Sequence, residues 1–535
     1  MSWSNSFFDQ LDSKAFKPDY QLHFLDVGNG IGTEFVINSG GQAPLKIGRS
    51  GIRISGTRVI PSRWSVSFGG FQIEIVGDAR ELLSLVNKGS FAQLMCSING
   101  CDPERIAIGQ LQSITRQGFE RRFTLVFKDL ISAFQNTTFS NVGSVPTPTS
   151  ANPPQQRLFF KNGITTALTS GWLLGDASMS VTNASGFDKE TGANGIIRVN
   201  KSGSDPYYLE IAAIDKAANT FDTSPYSTQV YPSEILGYTL PTSSGGSFAT
   251  SCTRLDGHPV DILGKILTST GTGNNGSLDK YPLVWSVGGG FSNDIYDYSD
   301  ADFQKKVIRG HSSSSYSWRL IYDAPLENGL RDLVSKFASL GQWPVMRQGS
   351  ISYRGCVDPE GRGMNYNPIV VDRLFDYDII EIRSHEIYAS TQQNTYIISN
   401  VGYTTANPVT PPFLEINSLS EINGETKALP TKREIARDGV FVYSPTMTRS
   451  DCATGDVNRM ANWDHYTWEK LILSCRLQKA HLVAGDVIEL TSRYLYGLNE
   501  GGGTFSSKRC MVIGSSFDIT TQQCILELGI ITGKR

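Results

Sequence analysis

The sequence is poor in the features that mark a catalyst, a metal protein or a membrane protein. Only six of its 535 residues are histidine, and none stands beside a candidate nucleophile, so a Ser/His or Cys/His triad has little support. There is no Gly-x-Ser-x-Gly elbow and no Walker loop. The eight cysteines (Cys96, Cys101, Cys252, Cys356, Cys452, Cys475, Cys510 and Cys524) are scattered, with no Cys-x-x-Cys pair and no histidine at zinc-finger spacing. They read as reduced, mostly buried thiols of a reducing compartment. A bridge across a hairpin between Cys96 and Cys101 stays open at this level. No apolar run approaches the ~18 residues of a membrane span. The stretch Met1–Asp9 lacks the basic segment and apolar core of a secretory signal. Charge of one sign is missing too: 48 basic against 51 acidic residues gives −3, without the basic excess that phosphate binding needs. The expectation is a soluble chain made in a cytoplasm, with no catalytic, cofactor-binding or metal-binding residue assigned and no cofactor.

What is present points to β structure. Glycine reaches 53 residues among many Ser and Thr, while hydrophobic residues are 39% and charged residues 19%. The length suggests roughly three or four domains at about 150 residues each. After an N-terminal extension over 1–18, strands dominate 19–138. Trp64, Val66 and Phe68 alternate with polar residues, Gly69-Gly70 follows, and Phe71, Ile73 and Ile75 alternate again, which reads as a hairpin about the glycine pair. A short helix is expected at 78–88 and a helical turn after Lys128. Four prolines among small polar residues mark 139–156 as a linker. A small β domain follows over 157–245, then a helix-containing middle domain over 246–345. There Pro259 stands at a first helical position before Val260, Ile262, Leu263, Ile266 and Leu267. Leu326, Leu330, Leu333, Val334, Phe337 and Leu340 form one apolar stripe ending at Gly341. Residues 346–535 return to strands, with a helix near 453–465. No short-period repeat is visible. The fold class expected is α+β, mostly β, and multidomain.

Three segments invite chemistry and fall short of it. Gly28-Asn29-Gly30-Ile31-Gly32 has its third glycine one residue early for a dinucleotide fingerprint and runs into strand-like Glu34–Ile37, so it reads as a turn between strands. His385-Glu386 begins like a zincin motif, but Ala389 stands where the second histidine is required, and the segment looks β. The run Asp294–Asp302 has enough carboxylates for a hard cation. The EF-hand pattern nevertheless fails, since Lys305 occupies the twelfth position, and the reading is a solvated loop with Ser299 or Asp300 capping a helix at 301–309. A paired-carboxylate glycosidase is not decided by spacing along the chain. Most of the eight Trp, including Trp64 and Trp172, fit a core role.

Three blocks resemble tail-hub proteins of long-tailed bacteriophages. They are Val59–Val76 with Phe123–Leu130, then His258–Asp279 with its Pro-Val-Asp helix and Gly/Asn loop, and then His481–Leu490 with its Gly-Asp element and the closing strands. Their order along the chain matches the family. The resemblance implies two β-barrels related to the tail-tube protein, one in 19–138 and one in 346–535, with smaller β and helical domains between. It implies a structural virion protein, not an enzyme: a baseplate-hub or tail-tip subunit forming a homotrimer whose six barrels cap or continue a six-fold tube. The implied partners are the distal tail or tail-tube protein, tail fibre or tip proteins, the tape-measure protein, and DNA only in transit. The implied location is the virion tail tip, assembled in the host bacterial cytoplasm. Some relatives carry a fused peptidoglycan-cleaving domain or an iron–sulfur site. This sequence shows no such module, and its cysteine spacing gives no support for a cluster. The rival expectation is a phage receptor-binding or carbohydrate-active, depolymerase-like β protein with an aromatic groove and facing carboxylates.

Overall fold

The structure, a computed structural model, describes residues 3–134, 164–232, 247–268, 295–308, 318–322, 330–361, 368–388, 395–399, 403–404, 413–417, 432–435, 440–443 and 460–533, apart from gaps of at most seven residues within these ranges. The linker expected at 139–156 and most of the helix expected near 453–465 lie outside the described residues. No helix among the described residues is long and apolar enough to cross a membrane.

The N-terminal half begins with helix α1 (Asn5–Gln10), capped by Ser4. Nine strands follow: β1 (Pro18–Asp26), β2 (Gly32–Asn38), β3 (Leu45–Ile47), β4 (Arg53–Ile60), β5 (Ser65–Ser67), β6 (Gly70–Gly77), β7 (Phe91–Ile98), β8 (Glu104–Arg116) and β9 (Arg122–Asp129). Helix α2 (Ala79–Leu85), capped by Asp78, lies between β6 and β7, and α3 (Leu130–Phe134) follows β9. The period-two alternation is realised: Phe71, Ile73 and Ile75 point inward from β6, as do Phe123, Leu125 and Phe127 from β9.

The hairpin is not where the glycines suggested. Ile60 pairs with Ser65, Arg58 with Ser67, Ser55 with Gly70 and Arg53 with Gln72, one continuous register of β4 against β5 and β6. The turn is Pro61–Trp64, closed by the Trp64 amide on the Pro61 carbonyl, with Trp64 itself at φ 48°. Gly69 and Gly70 sit at the break between β5 and β6, because three backbones crowd there. A Cβ on Gly69 would strike the Ser55 carbonyl, and one on Gly70 the Phe127 carbonyl.

The middle of the chain carries β10 (Thr165–Ala167), β11 (Ser178–Ser180), β12 (Gly195–Lys201), β13 (Tyr207–Ile211), β14 (Ala213–Asp215), β15 (Thr220–Asp222), β16 (Gln229–Pro232) and β17 (Ser247–Gly257). Their core gathers Trp172, Met179, Phe187, Val199 and Phe221. Then come α4 (Pro259–Thr268), α5 (Tyr298–Ile308), β18 (Trp318–Tyr322), α6 (Leu330–Ala338) and the hairpin β19 (Gln342–Arg347) with β20 (Ser350–Gly355). Pro259 does occupy the first helical position of α4, and α6 ends at Ala338 with the following turn closed by the Gly341 amide on the Ala338 carbonyl, Gly341 standing at φ 67°.

The C-terminal part has β21 (Val370–Phe375), β22 (Ile379–Tyr388), β23 (Thr395–Ser399), β24 (Tyr403–Thr404), β25 (Phe413–Asn417), β26 (Lys432–Ile435), β27 (Val440–Tyr443), β28 (Thr467–Arg476), β29 (Val487–Thr491), β30 (Lys508–Asp518) and β31 (Gln523–Gly533). Strands β24 and β27 join the edges of the middle sheet, whose order is β24-β16-β13-β12-β17-β18-β27.

The two terminal β regions are one sheet. Its order is β2-β1-β7-β8-β9-β6-β4-β30-β31-β28-β22, with β3 on β6, β5 on β4, and β29 linking β30 to β21. Each half curls. Strands β2 and β3 are neighbours in sequence yet sit at opposite ends of the N-terminal order; β21 and β22 do the same in the C-terminal half, joined by a turn of only three residues. No ladder closes either seam among the described residues, so the two expected β-barrels are open, curled sheets fused edge to edge. The fold is multidomain and mostly β, as expected. A single hydrophobic cluster runs through both halves, from Leu22, Phe71 and Leu125 to Leu471, Leu490 and Leu528.

Candidate assembly interface

The sheet repeats one unit twice. Spatially, the N-terminal half reads β3/β4, β6, β9, β8, β7; the C-terminal half reads β22, β28, β31, β30, β29. Counting only the strands at these positions, both run in sequence edge strand, second strand, short helix, then three strands, with β5 intervening in the first and β23–β27 in the second. The short helix is α2 in the first case and the 3-10 helix Leu477–His481 in the second. Every pairing within these five positions is antiparallel in both halves. Even an irregularity is repeated: the register of β8 on β9 shifts between Leu111 and Ser113, and that of β30 on β31 between Val512 and Gly514. The sixth position differs, since β1 is antiparallel to β7 while β21 is parallel to β29.

The halves meet where β4 pairs with the distal part of β30: Arg58 opposite Gly514, Ser55 opposite Ser516, Ile54 opposite Phe517 and Arg53 opposite Asp518. Strand β30 can offer that edge because its neighbour β29 covers only Lys508–Met511. Across the junction the carboxylate of Glu527 meets Arg58 at 2.9 Å and Lys470 at 2.9 Å. The N-terminal segment clasps the seam. Buried Trp3 donates from its indole to the Arg105 carbonyl at 3.0 Å and stands edge-on to Phe517 at 6.2 Å, while Phe8 meets the His481 ring at 5.5 Å.

A buried ionic knot fixes the C-terminal half to the middle of the chain. Arg354 of β20 donates from Nε to Asp486 Oδ1 at 2.8 Å and from Nη1 to Asp300 Oδ2 at 2.6 Å; Arg347 reaches Asp300 Oδ1 at 2.7 Å, and Ser352 bonds the same carboxylate. Burial alone would lower the Arg354 pKa, but the Asp486 and Asp300 carboxylates outweigh it and hold the guanidinium charged. Burial opposes the charge on Asp300, yet Arg354, Arg347 and Ser352 keep its carboxyl below the ordinary range. Gly485 stands at φ 107°, and a Cβ there would collide with the Arg354 side chain, which explains the Gly-Asp pair of the His481–Leu490 block. Nearby, Trp343 donates to the Ala484 carbonyl at 3.1 Å and Trp463 to the Val357 carbonyl at 2.9 Å.

The sequence candidates are placed as follows. The turn at Gly28 lies outside the described residues, but strands flank it on both sides. His385 lies on β22, where Nε2 is hydrogen-bonded to Glu469 Oε2 at 2.6 Å. In the acidic run, the helix starts at Tyr298 and not at 301. Asp297 caps it by accepting from the Asp300 amide, because Asp300 is committed to Arg354 and Arg347. That part of the run is therefore not a solvated loop. Among the described residues no group of three or more His, Cys, Asp or Glu could hold a metal ion. Trp64 and Trp172 are buried. Among the described residues, six cysteines, including Cys96 and Cys101, form no disulfide, and five of the six are buried. One hollow of about 450 Å³ opens beside the junction, lined by Arg53, Arg383, Asp518, Thr521 and Gln523 among others; it brings two guanidiniums to one carboxylate and no facing acids. Sequence reasoning missed the junction itself and its clasp, since nothing local in β4 or β30 names the other as partner.

No protein-family model matches the chain, and no curated protein matches its sequence. Among solved structures it is similar to the 43 kDa tail protein of prophage MuSo2 from Shewanella oneidensis, at 8% identity over 96% of each chain with a TM-score of 0.34. It is similar to the tail protein from Neisseria meningitidis MC58, at 9% identity over 95% of this chain and 96% of that one, with a TM-score of 0.33. It is also similar to prophage tail protein gp18 from Listeria monocytogenes EGD-e, at 8% identity over 96% and 94%, with a TM-score of 0.34. Such low scores make these likenesses only; the duplicated strand order stands without them.

Proposed function

We propose that this chain is a structural subunit of a bacteriophage tail tip, a hub or baseplate-hub protein that works by shape and not by turnover. One observation carries the reading: the same sheet unit occurs twice in one chain, fused edge to edge in a single sheet. A subunit of this kind supplies two neighbouring places of a ring, and three copies supply six, the number a six-fold tube needs below it. The resemblance of the Val59–Val76, His258–Asp279 and His481–Leu490 blocks to hub proteins supports the same reading. The partners proposed are two further copies, the distal tail or tube protein, tip or fibre proteins, and the tape-measure protein, with DNA only passing through. The location proposed is the virion tail tip.

Native mass measurement and electron-microscope imaging of the purified chain, alone and with tail-tube and distal-tail proteins, test this. The expected result is a three-copy ring that docks on the tube. A monomer that persists at high concentration and binds neither protein would overturn it.

A further inference from the structure

The edge used inside the chain has an unused counterpart at each end of the fused sheet. In the junction, the first strand of the N-terminal unit (β4) takes the distal edge of the fourth strand of the C-terminal unit (β30). The equivalent first strand of the C-terminal unit is β22, which pairs with β28 on one side and with no strand on the other among the described residues. The equivalent fourth strand of the N-terminal unit is β8. Its neighbour β7 covers it only through Gln110, so Gln112–Arg116 present a bare edge, as Gly514–Asp518 would without β4.

Both bare edges look made for a partner. Strand β22 exposes Ile380, Ile382 and Ile387, each about half accessible, beside Glu381, Arg383 and Glu386, and its two register shifts on β28 fall before Ser384, which leaves Ser384–Tyr388 in regular register. The distal part of β8 exposes Gln112, Ser113, Thr115 and Arg116. Aligning the two units on their shared register shift sets Ser113 where Gly514 stands and Thr115 where Ser516 stands. Aligning β22 on β28 as β4 is aligned on β6 sets Glu386 where Ser55 stands. Since Ser55 pairs with Ser516 and Ile54 with Phe517, Glu386 comes opposite Thr115 and His385 opposite Arg116.

We infer that the Ser384–Tyr388 edge of one copy pairs antiparallel with the Ser113–Arg116 edge of a second copy, repeating between chains the β4–β30 ladder made within the chain. The inference rests on the proposed ring, and it names the surface that joins its members. Each copy has one edge of each kind, so the contact is head-to-tail and closes only as a ring.

The test is disulfide trapping with Thr115→Cys and Glu386→Cys in one chain, both at exposed positions, beside each single variant. Mild oxidation of the double variant should convert most of the chain to species of two and three times its mass, and neither single variant should. Hydrogen exchange on the unmodified protein should slow at both 113–116 and 384–388 as concentration rises. A stable multimer with no trapping and no slowed exchange at these edges would overturn the pairing while leaving the ring intact. A chain that stays monomeric would overturn both.

Discussion

Arg354 and Asp486 lie 132 positions apart in sequence and are joined from Nε to Oδ1 at 2.8 Å, both side chains almost wholly shielded from water. With Asp300 they tie the β19–β20 hairpin and α5 to the loop that launches β29.

Removing Arg354 therefore strands two buried carboxylates. Arg354→Leu should destabilise the chain by about 3–5 kcal/mol, the usual penalty for breaking a buried pair from one side. Arg58→Ala, at a half-exposed junction pair, should cost less than about 1 kcal/mol. Thermal unfolding of the two variants side by side checks the contrast. Because Asp300 is held ionised below the ordinary range, its stabilisation is full above about pH 4 and is lost as pH falls through its lowered folded value.

Asp129 works in the opposite sense. Its Oδ1 accepts from the Ser132 amide at 2.7 Å, while its Oδ2 has no hydrogen-bond partner and the residue lines a small cavity of about 40 Å³ with Ser55, Gln348 and Ser515 at the seam between the halves. Burial pushes its carboxyl up to about 7. The folded state then holds a proton that the unfolded chain releases near pH 4, so stability falls as pH rises from about 4 to about 7 and levels off above. Asp129→Asn should remove that slope, worth about 4 kcal/mol at 1.36 kcal/mol per unit, when unfolding is followed across pH 4 to 8. An unchanged slope in the variant would show that Asp129 is not its source.

Gly69→Ala should be far more harmful than a glycine-to-alanine change in an exposed strand. The added methyl meets the Ser55 backbone, which no rotamer can relieve, and the expected cost is at least about 3 kcal/mol with loss of the β4–β6 register. Circular dichroism and hydrogen exchange over 53–77 would report it.

Trp3→Ala tests the clasp. Truncating a buried Trp costs about 3–5 kcal/mol, and here the loss should appear first as faster exchange and easier proteolysis at the β4–β30 seam. Uniform destabilisation of the whole chain, with no local signature at 514–518, would contradict that role.

Much of the local structure was legible because it depends on neighbours in sequence. Alternation in β6 and β9, Pro259 opening α4 and Gly341 closing the turn after α6 each follow from a few adjacent residues. The errors share the opposite cause. Gly69-Gly70 has the composition of a turn, but its glycines answer to crowding from Ser55 and Phe127, and the turn fell to Trp64 in a left-handed conformation. Asp300 has the look of a helix cap, but Arg354, 54 positions away, claims it and leaves the cap to Asp297. The duplicated unit was implied only by the hub resemblance and not by the residues themselves, because the two copies share strand order and one register shift, not residue spacing. The candidate interface was illegible for the same reason: an edge is defined by which strand does not cover it.

The β4–β30 ladder also sets a timetable. Strand β4 leaves the ribosome early, and its partner follows roughly 450 residues later. At about 5–20 residues per second that is a wait of roughly 20–90 s. Throughout it the nascent chain holds an uncapped strand border, open to capture by another unfinished copy. Slower synthesis should thus raise the yield of wrongly joined material in proportion to the delay, and a circularly permuted chain that begins at β28 should largely escape it.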